Sequence, residues 1–426
     1  MTRRVCRAAA GVLLAALAVA LAACRPAGDA PGSRITFSIS LAEDEKDAVL
    51  AILRRFERDA GIKVTLTAVT GEALPEKLKV DAGARRPTIH LFAKDNLALR
   101  VLVDAGLVQE LSDVPIPEGV LPGMVPEPVD GRRYFLPFRP NVQVTYVNRG
   151  RFDRAGVAPP RTADELRAVA ETLKKAAGTA KVTLSLAEGG AAAVTVTEWI
   201  LMFGGDPLVL NDDGAVRALE FLQGLWRDGL LAPESLLAKY DTQVDYLQGE
   251  TAWLAPNWPF TSKVLAEQDL LERFHVYAGW RGPARAARVV GGDVLGVPRG
   301  VTGPWRDAAL ALARFLMSRE AQRILVAQNA WPSIRGDVYA DVPAVLRETF
   351  GAIQAALRDG VVRPNVAHWP EVTEAMNEAV RRVVVRGEPA RAVLDTLHAK
   401  VAAAARRKGV KPSVSGPSRP RGLPLS

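Results

Sequence analysis

Apolar and polar positions alternate through Ile35-Thr36-Phe37-Ser38-Ile39, the two-residue period of a half-buried strand. The period then lengthens: Val49, Ile52, Leu53 and Phe56 share one face of a helix predicted over 43–60, and Gly61 is placed to end it. Alternation returns at 62–66. This strand–helix–strand opening predicts an α/β sheet. A third strand is expected over 87–92, a short helix over 99–105 with Gly106 as its stop, and another strand over 142–147. Thr162 and Glu165 have the spacing of a capping box, which opens a helix reaching about 177. Helices are also predicted over 215–228, as a pair within 305–328, and over 372–385 and 389–405.

Composition narrows the classes. Hydrophobic residues are 48% and charged residues 24% of 426, which excludes global disorder and leaves room for two to four domains. Two cysteines exclude a disulfide scaffold or a cysteine-rich zinc module, and four scattered histidines argue against a His-based metal site, so no metal or cofactor is expected. The net charge of +8 is misleading. Residues 1–23 carry three arginines and no acid, and residues 401–426 carry six cations and no acid, so the body between nets −1. Such a body has no bulk electrostatic reason to bind nucleic acid. The end of the chain, 404–426, reads as a basic disordered tail, either simply solvated or in weak contact with anionic lipid.

At the N-terminus, arginines precede an apolar run over about 8–20, shorter than the ~20 residues that span a bilayer. Leu21-Ala22-Ala23-Cys24 resembles the lipobox of bacterial lipoproteins. That resemblance implies removal of 1–23 as a signal peptide, lipidation at Cys24, and loss of Cys6. An ordinary signal peptide or a retained anchor helix are the alternatives. Residues 24–33 read as a tether.

Motifs of moderate length succeed one another along the rest of the chain. They include Gly61-Ile62-Lys63-Val64, Leu102 to Leu111, Gly131 to Pro137, Tyr146-Val147-Asn148, Gly204-Gly205 and Leu247-Gln248-Gly249-Glu250. Asn257-Trp258-Pro259-Phe260, Gly291-Gly292, Ser318 to Gln322 and Trp331 to Arg335 follow. In this order, over about 34–400, the chain resembles the extracellular solute-binding proteins of ABC importers. Within them it resembles the sugar-binding group that includes maltose- and trehalose-binding proteins. The resemblance implies an α/β, two-lobed periplasmic-binding-protein-like fold with a hinge between the lobes. Carried over by motif, lobe one is 34–141 plus 294–338 and lobe two is 142–293 plus 339–403. It further implies capture of a sugar or oligosaccharide between the lobes, delivery to ABC permease membrane subunits, no catalysis, and a monomer. The protein would be exported and lipid-anchored to the cell envelope membrane, facing the periplasm or the cell exterior. Two departures stand out: Asp293 where relatives often have Trp, and Pro256 where they often have Arg.

A sugar offers an apolar C–H face to an aromatic ring, and hydroxyls that must be matched once water leaves. Trp258 is the leading stacking platform, beside Asn257, with an inter-lobe core position as its alternative. Pro256 and Pro259 make this stretch read as a loop or helix start. Trp253, Trp280 and Trp331 are further platforms, Trp253 reading equally as a buried strand residue. Trp199 sits on an apolar helix and reads equally as core. For hydroxyls, Asp95 and Asn96 follow a strand, as Glu43 follows the first, and strand C-terminal ends face the crevice in open α/β sheets. Asp95 is alternatively a helix cap. Arg139 and Asn141 lie at the first expected lobe crossing, Asp293 at the second and Arg335 at the third. Ordinary surface salt bridging is the alternative for each polar residue. No Gly-x-Ser-x-Gly, phosphate-loop, His-Glu-x-x-His or EF-hand pattern occurs. The rival readings are a non-sugar solute such as a peptide, polyamine or phosphorylated metabolite, with an anion favoured if Arg139 and Arg335 both face the ligand, a sensory partner, or a secreted glycan hydrolase.

Overall fold

The computed structural model describes residues 30–41, 45–70, 73–84, 87–97 and 99–410. The expected signal peptide, Cys24, Glu43 and the end of the basic tail lie outside them. Nine strands are described: β1 (Arg34–Ile39), β2 (Lys63–Ala68), β3 (Leu91–Asp95), β4 (Leu136–Val142), β5 (Val144–Asn148), β6 (Leu254–Asn257), β7 (Phe274–Tyr277), β8 (Arg288–Gly296) and β9 (Gly360–Val362). They form two sheets. The larger runs β2-β1-β3-β8-β4 with β9 beside β8, and the smaller runs β6-β5-β7. The β1–β2 and β1–β3 pairs are parallel, joined through the helices Lys46–Ala60 and Leu74–Ala82, while β8 runs antiparallel to β3 and β4.

Helix boundaries follow local chemistry. Gly61 ends the helix Lys46–Ala60 in the left-handed region, and Thr162 caps Ala163–Ala177 by accepting from the Glu165 N–H at 3.1 Å. Ser318 accepts from the Ala321 N–H at 3.2 Å and so starts Arg319–Asn329 directly after Gly303–Leu316.

Four expectations are corrected. The third strand begins at Leu91, not at 87, because the Asp81 carboxylate accepts from the backbone N–H groups of Thr88 and Ile89, both at 2.8 Å. Those donors are satisfied by a side chain instead of a strand ladder. Pro256 lies within β6, opposite Thr145. It is tolerated because β6 is an edge strand and needs no N–H on its open side. The last helix, Ala390–Arg407, enters the segment expected to be tail, with Ala404 and Ala405 buried. The helix expected over 372–385 is α-helical over Trp369–Ala379 and then widens to a π-helix over Val380–Val385.

Apolar packing divides along the sheets. One core joins Ile35, Phe37, Ile52 and Leu91 to Leu295, Leu312 and Trp331. Another joins Val147, Leu166, Trp199 and Leu219 to Trp369 and Leu394. A third unites Val144, Tyr146 and Leu265 with Val326, Ala330 and Phe350, so the halves also meet along an apolar seam. The chain passes between them where β4 runs into β5 and along β8.

Candidate functional site

Sheet register sets three charged residues abreast. Asp95 of β3 lies opposite Asp293 of β8, and Asp293 lies opposite Arg139 of β4. Directly opposite residues project to one face of a sheet. Arg139 Nε donates to Asp293 Oδ2 at 2.7 Å, and its Nη1 lies 3.4 Å from Glu45 Oε1. Both side chains of the Arg139–Asp293 pair are close to nine-tenths buried. The guanidinium rests 3.9 Å above the centroid of the buried Trp331 ring. Burial pushes the Asp293 carboxyl above the usual carboxylate range, and the guanidinium pulls it back only in part. Burial likewise lowers the Lys94 ammonium below its ordinary value.

These residues floor a cleft of about 340 Å³. The first half of the fold contributes Ser40, Leu41, Glu45, Lys94 and Asp95, and the other supplies Tyr240, Trp258 and Phe260, with Asn141 at the crossing. Trp258 is half-buried and belongs to none of the apolar cores. It is held by its position between the end of β6 and Pro259, which starts the helix Phe260–Glu267. The Tyr240 and Phe260 rings meet edge to face, with centroids 6.0 Å apart.

Of the residues expected at the site, Asp95, Arg139, Asn141, Trp258 and Asp293 come together in this cleft. The others are placed elsewhere. Asn257 is fully buried, and its Nδ2 donates to the Tyr240 carbonyl and to Thr261 Oγ1, both at 2.8 Å. It braces the turn that carries Trp258. Asn96 is tied to β8, donating from its backbone to Gly292 O at 2.8 Å and from Nδ2 to Val290 O at 3.2 Å. Trp199 and Trp280 are core residues whose rings lie 6.2 Å apart, Trp199 also stacking on Phe221 at 5.3 Å. Trp253 is buried in that same core, with Arg151 and Lys181 over its ring. Trp331 is fully buried beneath Arg139. In each case protein atoms occupy the ring faces a sugar would need. Arg335 is turned onto Asp337, at 2.9 and 2.6 Å, and does not line the cleft. Glu43 lies outside the described residues.

Glu45, Tyr240 and Lys94 are among the cleft residues that escaped the sequence reading. Glu45 is one of three acids among residues 43–45, and sequence alone does not choose among them. Tyr240 opens the helix Tyr240–Gln248 and is 49% exposed, an exposure its sequence neighbours do not signal. Lys94 follows the apolar run Leu91-Phe92-Ala93 near the end of β3 and reads as a solvated polar position.

A larger cavity, about 730 Å³, adjoins the same strands and is lined by residues 122–127, by β9 and by Arg363 to Asn365. Proline and valine dominate its walls, and the exposed aromatic rings lie in the smaller cleft. The smaller cleft therefore has the chemistry to grip a polyhydroxy ring. Among the described residues no cluster of His, Cys, Asp and Glu is arranged to hold a metal ion, and no helix is long and apolar enough to cross a membrane.

The sequence pattern of the bacterial extracellular solute-binding protein family matches residues 51–345. A Pyrococcus horikoshii protein described as an uncharacterized ABC transporter extracellular-binding protein is 27% identical over 319 residues, covering 69% of this chain and 72% of that one. A Brucella abortus protein provisionally named a binding protein is 24% identical over 275 residues, which is 62% of this chain and 66% of its relative, just under two thirds of that protein's length. Among solved structures, maltose-bound MalE3 of T. maritima superposes with a TM-score of 0.77 at 20% identity, covering 86% of this chain and 98% of that one. The GacH receptor of Streptomyces glaucescens, solved unliganded and with acarbose, gives 0.75 at 20% identity over 89% and 99%. These likenesses establish the two-lobed fold.

Proposed function

Because the chain belongs to the bacterial extracellular solute-binding protein family, we propose that it captures a sugar between its lobes and hands it to an ABC permease in the membrane. The observation that carries this reading is the cleft itself, which gathers the half-buried Trp258 indole, the carboxylates of Asp95 and Asp293 and the amide of Asn141 in one lining. The indole would take the C–H face of the ring. The carboxylates and amide would take its hydroxyls, each of which costs ~1–3 kcal/mol if buried unpaired. At 340 Å³ the cleft sits at the low end of the ~300–1,000 Å³ range of small-molecule sites, which favours a short ligand. Micromolar affinity corresponds to about −8 kcal/mol, within reach of one stack and several such bonds. An anionic ligand is disfavoured, since Arg139 is neutralised by Asp293 and Arg335 by Asp337.

Closure of two lobes about a hinge is the motion this architecture permits. We place the lobes at 34–141 plus 294–338 and 142–293 plus 339–403, supported by the crossings at β4–β5 and β8. The protein acts without catalysis, as a monomer, with the glycan released unchanged. A thermal-shift screen of residues 30–410 against mono-, di- and oligosaccharides tests this. A ligand at a hundredfold over its Kd stabilises the native state by about 2.7 kcal/mol and raises the melting temperature. A panel of neutral sugars that leaves the melting temperature unmoved, or a glycan returned cleaved, would refute it.

The export and anchoring reading rests on the sequence of residues 1–24. Acyl-chain burial contributes ~0.8 kcal/mol per CH₂, so a diacylated Cys24 would hold the domain at the membrane. Labelled palmitate is expected on the wild type and not on Cys24→Ala; equal labelling of both would refute the anchor.

A further inference from the structure

Arg363 was not singled out by its sequence context, yet it makes a polar connection between the two lobes at the edge of the cleft. It follows β9, and Val361 of that strand and Val366 beyond it pack against the core of the second lobe. From there its Nη2 donates to both oxygens of Asp95, at 2.8 and 3.0 Å, and reaches Asn96 Oδ1 at 3.3 Å. Asp95 ends β3 in the first lobe. The two partners are unequal: the arginine side chain is 8% exposed and the carboxylate 46%. One is fixed by packing and the other projects into the cleft. Two residues on, Asn365 Oδ1 accepts from the Arg100 N–H at 2.8 Å, a second bond across the same gap. An atom placed on Gly291 of β8 would meet Arg363 Nη2 and the Trp258 indole at 3.5 Å each, and Asp95 Oδ2 at 3.8 Å. Asp95 lines the 340 Å³ cleft and Arg363 lines the 730 Å³ cavity, so their ion pair stands in the partition between the two.

We propose that Arg363 is a positioning residue for ligand capture: it fixes the Asp95 carboxylate in its cleft-facing orientation from the opposite lobe, and so couples the grip on the ligand to closure of the lobes. The proposal rests on the sugar reading for its ligand, while the coupling itself does not. A charge-assisted bond to a carboxylate is directional and leaves its remaining lone pairs free for hydroxyl donors. Asp95 Oδ1 also accepts from the Leu97 N–H at 2.9 Å within its own lobe. When the lobes separate, the carboxylate keeps that local bond and loses the charge-assisted one that reaches both of its oxygens, so an open protein holds a less ordered site.

The test uses Arg363→Met, Asp95→Asn, their double variant and Arg363→Lys, all in the context of the full mature chain. Calorimetry with the tightest sugar from the thermal screen measures affinity. Solution scattering with and without that sugar measures closure. Arg363→Met is expected to raise Kd tenfold or more and to increase the radius of gyration of the ligand-free protein. Arg363→Lys should restore part of both. The double variant should be no worse than Asp95→Asn alone, because the arginine acts through that carboxylate. Additive losses in the double variant, or an Arg363→Met protein with wild-type affinity and scattering, would overturn the proposal. A lowered melting temperature with unchanged scattering would also overturn it, by reducing Arg363 to a purely structural role. If no sugar binds the wild type, the sugar reading fails, and the ligand-free scattering of Arg363→Met still decides the coupling.

Discussion

Replacing Arg139 with methionine will cost the folded protein about 3–5 kcal/mol, read as a lower urea midpoint with an unchanged denaturant slope. Methionine keeps the apolar stem over Trp331 and removes the charge that sits 3.9 Å above that ring. What remains is the Asp293 carboxylate, about one-tenth exposed, with Asp95 opposite it across the sheet and Glu45 nearby. An uncompensated buried carboxylate must either stay charged at great cost or take up a proton. Its folded-state pKa, already raised by burial, will rise further. A carboxyl whose folded pKa exceeds its unfolded value lends stability at low pH and loses it as pH climbs through the folded value. The deficit of Arg139→Met should therefore grow from acid to neutral pH. Adding Asp293→Asn should recover part of the loss and flatten the pH dependence. A variant as stable as wild type at neutral pH would show that the pair is dispensable.

Truncating Trp258 to alanine should raise the sugar Kd tenfold or more, about 1.4 kcal/mol, and leave the melting temperature of the ligand-free protein nearly unchanged. The two expectations separate because the ring is half-buried and lies outside all four apolar clusters. Unchanged calorimetric affinity would remove this indole from the site.

Much of the fold was legible because its signals are local. The two-residue period at 35–39, the glycine at 61 and the Thr162–Glu165 spacing each report on a few bonds within a few residues. The start of β3 was misplaced because Asp81 diverts two backbone donors, and that diversion depends on a contact seven and eight residues away. β6 was obscured by a proline that is harmless only on an edge, and sequence does not show which strand is an edge.

The site was legible where chain position decides it. Asp95, Arg139, Asn141 and Asp293 lie at strand ends or crossings, and the register brings them to one cleft. The tryptophans were not, because an indole suits a core and a sugar face equally well. Trp199, Trp253, Trp280 and Trp331 differ from Trp258 only in what covers them. Arg363 was missed because its partner is 268 residues away.

Adjacent glycines in β8 pull in opposite directions for anyone redesigning specificity. At Gly292, with φ at +101°, a methyl would land 2.1 Å from the Arg139 carbonyl oxygen, so a library should hold that position constant. At Gly291 the same methyl would sit 3.5 Å from both the indole and the guanidinium, ordinary contact distances. Gly291 lines the larger cavity, so one codon offers a graded way to thicken the partition between it and the cleft, and its neighbour offers none.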